Sequence, residues 1–217
     1  MSGISADTKR AGQLLLEGLR QFNQAAVLFG TLIEPAFQQS VENIIDEYVQ
    51  DWDMDGELNW DKDTHWFASK DWVLNDERTA HFKDYMSNAG EEDYWLAVVT
   101  GTGTRDVEWG YRFSPVRSAF GGTQSFNRWM KNQNGGPVAS IAALKIRHEG
   151  KGDFFLPLKF DAKLMASCWS EYGEFREEHE LFDPVRRMLD TIKQALPHFS
   201  LLLKKAEAEL SEVRLAD

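Results

Sequence analysis

The acidic string Asp51-Trp52-Asp53-Met54-Asp55-Gly56 is the part of the sequence most typical of a metal site. Carboxylates at alternate positions followed by glycine form the first half of an EF-hand loop, whose oxygens converge on a hard cation. The twelfth position is Lys62, where that loop has a bidentate glutamate. The sequence suggests Asp51, Asp53 and Asp55 as ligands of Ca²⁺ or another divalent ion, and no other cofactor. The alternative is an acidic turn, because Asp and Gly both favour turns.

Trp60, His65 and Trp66 follow this string and are the candidate ligand-binding residues. The chain contains 8 tryptophans, and indole rings can line a pocket or stack on a ligand. The alternative is that these large side chains fill the core of a small sheet. His65 also lies close in sequence to Asp61 and Asp63, as a solvated histidine commonly does.

No catalytic motif accompanies these residues. The sequence contains no Gly-x-Ser-x-Gly, His-Glu-x-x-His, Cys-x-x-Cys or Walker string. Gly101-x-Gly103 lacks the lysine of a phosphate loop, and we predict a hairpin turn there. We therefore predict no catalytic residue and favour a protein that is not an enzyme, without excluding one.

The strongest pattern is an apolar stripe near the carboxyl end. Asp183-Pro184 is typical of a helix start, because an acidic cap precedes a proline in the first turn. Apolar residues then recur at alternating spacings of four and three, with Pro197 expected to kink or break the helix. They are Val185, Leu189, Ile192, Leu196, Phe199, Leu203, Ala206, Leu210 and Val213.

This narrow stripe is typical of helix-on-helix packing rather than packing on a sheet. We therefore predict that the terminal helices pair with each other, with a second copy or with a target. The predicted interface consists of Leu189, Ile192, Leu196, Phe199, Leu203 and Leu210.

The other elements predict an α+β fold. An N-terminal stripe (Leu15, Leu19, Phe22, Ala26, Phe29, Ile33) indicates a helix that restarts at Pro35. We expect strands within 65–74, 94–100, 107–113, 138–148 and 154–164, and short helices over 76–87 and 123–132. The result is a central antiparallel sheet of about five strands flanked by long N- and C-terminal helices. We predict one domain, with a helical segment over 1–52, a sheet region over 60–170 and a long helix over 175–217.

Charge and cysteine content restrict the function classes. The net charge is −11, so we expect no nucleic acid partner and no anionic membrane partner. Cys168 is the only cysteine, and the longest apolar run, 25–33, is far shorter than the ~20 residues of a membrane span. We therefore expect a soluble, cytoplasmic protein.

Two function hypotheses follow from these features. The first is a non-catalytic acidic interaction protein (a regulator, adaptor, chaperone or toxin-neutralising partner) that acts through its heptad-patterned helices on a protein partner or as a homo-oligomer. The second is a small-molecule-binding or divalent-metal-binding protein, and so a candidate enzyme, with its site near Asp51–His65.

Overall fold

A computed structural model of the chain describes residues 4–62, 64–87 and 93–214. The chain divides into two compact units, one up to Gln39 and one from Ser40 onward. Among the described residues, no helix is long and apolar enough to cross a membrane.

The fold is α+β, as predicted. Its helices are α1 Ala6–Glu17, α2 Leu19–Leu28, α3 Glu34–Asp51, α4 Trp95–Thr100, α5 Thr123–Met130, α6 Pro137–Ala143, α7 Ala162–Tyr172 and α8 Asp183–Arg214. Its strands are β1 Met54–Asn59, β2 Thr64–Ser69, β3 Val73–Leu74, β4 Glu77–Arg78, β5 Ala80–Met86, β6 Trp109–Pro115, β7 Arg147–Gly150 and β8 Asp153–Leu158. Six strands form one antiparallel sheet in the order β1-β2-β5-β6-β8-β7, and β3 pairs with β4.

A row of four phenylalanines crosses the centre of the sheet. Phe67, Phe82, Phe113 and Phe154 are register partners on β2, β5, β6 and β8, and each is fully buried. Register partners direct their side chains to the same face of a sheet. We call these four residues the phenylalanine row.

Helix α8 packs on this row through Phe199. Its ring stacks on Phe113 at a centroid distance of 4.1 Å and lies 5.5 Å from Phe82 and 5.4 Å from Phe154. The same helix contacts α5 and α6 within its own unit. At one edge of the helix, Lys193 lies over the ring of Trp52 at 5.6 Å.

Within the larger unit, the sheet and the helices α5 and α6 cover much of the C-terminal stripe, whereas pairing of its half-buried part with a second copy or a target stays a prediction. Leu189, Ile192, Phe199 and Leu203 are buried within the chain, and Leu196 and Leu210 are half-buried. The sheet covers the centre of the stripe through Phe199, whose ring packs on the phenylalanine row. The helix also continues through Pro197 instead of ending there.

Two segments have the opposite secondary structure from the one predicted. Residues 94–100, expected as a central strand, contain α4, which ends at Gly101 with a left-handed φ of 64°. Residues 76–87, expected as a helix, contain β4 and β5. Asn75 and Asp76 both have positive φ in the two-residue turn between β3 and β4, a typical hairpin turn.

Several boundaries also differ from the prediction. Residues 137–143 form α6 with Pro137 in its first turn, so only the end of the expected 138–148 strand is extended, as β7. Strand β8 ends at Leu158, and Asp161 caps α7. Pairing between β7 and β8 stops at Phe155, so Pro157 lies beyond the reach of β7.

The N-terminal helical segment does not restart cleanly at Pro35. A π-helical turn, Phe29–Ile33, joins α2 to α3. A proline ring clashes with the carbonyl four residues before it in a regular α-helix. A wider turn relieves this clash without ending the helix.

We predict that Phe199→Ala lowers the free energy of unfolding by about 3–5 kcal/mol, because it leaves a cavity over the phenylalanine row. Chemical denaturation followed by circular dichroism measures this loss. Leu201→Ala is the matched control on the same helix, since Leu201 is 53% exposed. Equal losses for the two variants would contradict the packing of α8 on the sheet.

Candidate functional site

The carboxylates of the acidic string are paired with basic side chains. Asp53 accepts a hydrogen bond from Lys70, which raises the pKa of that lysine. Asp55 Oδ2 lies 3.0 Å from Arg78 Nη2. Asp51 ends α3 with an exposed side chain. The structure therefore places two of these three carboxylates in separate ion pairs.

No group of three or more His, Cys, Asp or Glu side chains is arranged to hold a metal ion within the described part of the chain. Asp63 and the side chain of Asp61 lie outside the described residues. The divalent-ion site at Asp51, Asp53 and Asp55 stays a prediction.

The three candidate ligand-binding residues lie on two faces of the sheet. His65 and Trp66 are neighbours on β2, so their side chains point in opposite directions. The guanidinium of Arg78 lies over the ring of Trp66, 4.5 Å from the centroid of that ring. Trp60 stacks on His65 at 4.0 Å with nearly parallel rings. The structure brings Trp60 and His65 together and separates Trp66 from them.

Trp60 and His65 belong to a larger group, which we call the aromatic cluster: Trp60, His65, Trp95, Trp109 and Tyr111. Trp60 lies 5.5 Å from Trp95 and 6.1 Å from Trp109, and these two rings are 5.2 Å apart. A 3-10 turn after β1 positions Trp60, α4 positions Trp95, and β2 and β6 supply the other three.

Sequence reasoning did not place Trp95, Trp109 and Tyr111 in this site. Trp109 and Tyr111 alternate along β6, which indicated a common face but not its neighbours. Trp95 reaches the cluster from a helix that the sequence suggested was a strand. The sequence carried no signal for a contact between these distant segments.

Hydrogen bonds and burial determine the protonation of the cluster. His65 Nδ1 lies 2.9 Å from Tyr111 Oη. Burial lowers the pKa of His65 to about 3, so its ring is neutral near pH 7. Burial, with the carboxylates of Asp84 and Glu42 nearby, raises the pKa of Tyr111. Neither group therefore changes its protonation state near neutral pH.

Asp84 and Glu42 hold Trp60 in place. Asp84 Oδ2 accepts a hydrogen bond from Trp60 Nε1 at 3.4 Å, and Glu42 Oε1 accepts one from the Trp60 backbone N–H at 2.7 Å. Trp60 remains half-buried, whereas Trp109 and His65 are each 1% exposed.

Two buried polar atoms of the cluster have no hydrogen-bond partner among the described residues. They are His65 Nε2 and Trp109 Nε1. An unsatisfied buried polar group costs about 1–3 kcal/mol, and most such groups have a partner in native proteins. The aromatic cluster therefore has unused hydrogen-bonding capacity for a small polar group.

The N-terminal segment presents a different kind of surface. Nine of the twelve exposed large apolar side chains in the described residues lie between positions 4 and 32. They are Ile4, Leu14, Leu15, Leu16, Leu19, Phe22, Val27, Leu28 and Leu32. We call this set the N-terminal apolar surface.

We predict that His65 makes stability fall with acidity. Its pKa is about 3 in the folded chain, against an ordinary histidine value of 6.5, so the unfolded chain binds more protons at His65 between pH 3 and pH 6.5. The free energy of unfolding then falls by up to about 1.4 kcal/mol per pH unit below pH 6.5. Denaturation of the natural chain and His65→Gln across pH 4–7 isolates this effect. Parallel pH profiles for the two proteins would contradict it.

No family model, curated protein or solved structure matches this chain.

Proposed function

We propose that this protein is a non-catalytic interaction protein that self-associates through its N-terminal helices. The observation that carries the proposal is the N-terminal apolar surface, which concentrates exposed apolar side chains in one short segment. Exposed apolar side chains concentrated in this way are typical of interaction sites.

The helices themselves support this proposal. Neither α1 nor α2 contains a buried residue. Isolated helices of 10–12 residues are marginally stable in water, and most helices in proteins are stabilised by packing of an apolar face. Their apolar side chains gain that packing when another apolar surface covers them.

Charge favours a second copy of the chain as the cover. Positions 11–33 contain only two charged residues, Glu17 and Arg20, which have opposite sign. In an antiparallel pair of identical helices centred between positions 18 and 19, Glu17 lies opposite Arg20 of the second copy. The same register places Leu15 opposite Phe22. A two-fold symmetric contact of this kind is self-complementary.

We predict that Leu15→Asp shifts the protein from dimer to monomer, because it places a carboxylate in an apolar contact. Sedimentation equilibrium measures the molar mass in solution. Leu201→Asp is the matched control, since Leu201 is exposed but lies on α8, and it leaves the dimer intact. A natural chain that is monomeric at all accessible concentrations would overturn the proposal.

A charge exchange tests the register. Glu17→Arg places like charges opposite each other in the proposed dimer and weakens it about fivefold, in line with the ~1 kcal/mol that exposed charge pairs contribute. The double variant Glu17→Arg with Arg20→Glu restores the opposite pairs and the dimer. A double variant as weak as the single one would contradict this register.

The second hypothesis, a ligand or metal site near Asp51–His65, stays open as an alternative. The two unpartnered buried atoms of the aromatic cluster favour a small polar ligand there. Its divalent-metal form predicts that millimolar Ca²⁺ raises the melting temperature of the natural chain but not of Asp53→Ala. Asp106→Ala, which removes one exposed carboxylate elsewhere, keeps the rise. Thermal melts without an effect of Ca²⁺ or of any other common divalent ion would rule out this form.

A further inference from the structure

A cavity of about 370 Å³ lies beside the first turns of α8, where α6 leads into β7 and where β8 runs past the end of β7. All residues that line it belong to the unit that begins at Ser40. Its volume falls within the range of small-molecule sites, about 300–1,000 Å³.

The walls of this cavity are aliphatic. Leu156, Leu158 and Met188 line it and are buried, and Leu144 is half-buried beside them. No aromatic residue is among its described lining residues, although the chain has 8 tryptophans and 14 phenylalanines. The walls therefore offer no ring to stack on a planar ligand and suit an aliphatic chain.

Three residues with cationic side chains line the same cavity, Lys145, Lys159 and Arg187, and the Lys159 ammonium lies towards Gly101 at the end of α4. Each is exposed and has no ion-pair partner among the described residues. No acidic side chain is among the described lining residues, although the chain has 35 Asp and Glu. Asp183, the acidic residue at the start of α8, forms an ion pair with Arg186 and does not line the cavity. Its Oδ1 lies 3.2 Å from Arg186 Nη1.

The backbone adds to this positive charge. Pro184 and Arg187 belong to the first turns of α8, and the N-terminal end of a helix carries partial positive charge. Unpaired cations at a helix N-terminus attract anions, and the adjacent aliphatic wall can cover an apolar tail.

We propose that this cavity binds a small aliphatic acid. The anionic head lies among Lys145, Lys159 and Arg187, and the hydrocarbon chain lies against Leu156, Leu158 and Met188. A carboxylate and a phosphate monoester share the chemistry of the head, and the measurement below distinguishes them. The proposal does not depend on self-association through the N-terminal helices.

Isothermal titration of the full chain with octanoate and with octyl phosphate tests the proposal. We expect saturable binding of at least one of them, and the tighter of the two identifies the head group.

Butanoate binds at least tenfold more weakly than octanoate or fails to bind, because it covers less of the apolar wall. Octanol and octyltrimethylammonium bind at least tenfold more weakly than the acid. Binding of octanol as tight as that of the acid would overturn the anionic assignment, and no saturable binding of either acid would overturn the site.

Charge variants then locate the head. Arg187→Glu and Lys159→Gln each weaken binding of the acid about tenfold or more, while their melting curves stay close to that of the natural chain. Lys204→Glu is the matched control, since Lys204 is an exposed cation on α8 that does not line this cavity. It makes the same change in net charge as Arg187→Glu and leaves binding unchanged. Equal weakening by both α8 variants would show general charge attraction and overturn the site.

Discussion

The stack of Phe199 on the phenylalanine row is the contact on which the rest of the larger unit depends. Four strands contribute one ring each in register, and α8 adds a fifth ring from above. Because the strands pair in a fixed register, one aligned set of rings places all the other residues of β2, β5, β6 and β8. His65, Tyr111 and Leu156 thus share the face on which α8 packs, whereas Trp66 and Arg112 lie on the other. The aromatic cluster and the cavity beside α8 are both positioned by this alignment.

Sequence reasoning predicted the elements whose ends carry clear chemical signals. Asp183-Pro184 begins α8, as an acidic cap followed by a proline in the first turn predicts. It failed for 94–100, because a short run of apolar residues suits a buried strand and a buried helix equally. Gly101 decided between them as the left-handed residue that ends α4. The pair Asn75-Asp76 carried a hairpin signal that outweighed the helical interpretation of 76–87.

The apolar stripes show how far residue spacing can predict helix packing. Spacing along a helix tells which face is covered but not what covers it, because a sheet and a second helix can bury the same side chains. For α8 the cover within the same chain combines the sheet with the helices α5 and α6. The candidate site likewise combines residues that are close in sequence with residues that only tertiary packing brings near. Trp60 and His65 were predicted from their nearness in sequence and do stack, while Trp95 and Trp109 joined them through tertiary packing.

Because β7 is shorter than β8, the last residues of β8 have no strand beside them on that side. Strand β8 continues past its neighbour over Leu156–Leu158, and an open strand edge of this kind can recruit strands from other molecules. Pro157 has no N–H to donate to an incoming strand. Lys145 and Lys159 add like charges that repel the same edge of another copy. This end of the sheet is therefore protected against the edge-to-edge growth that leads to fibrils.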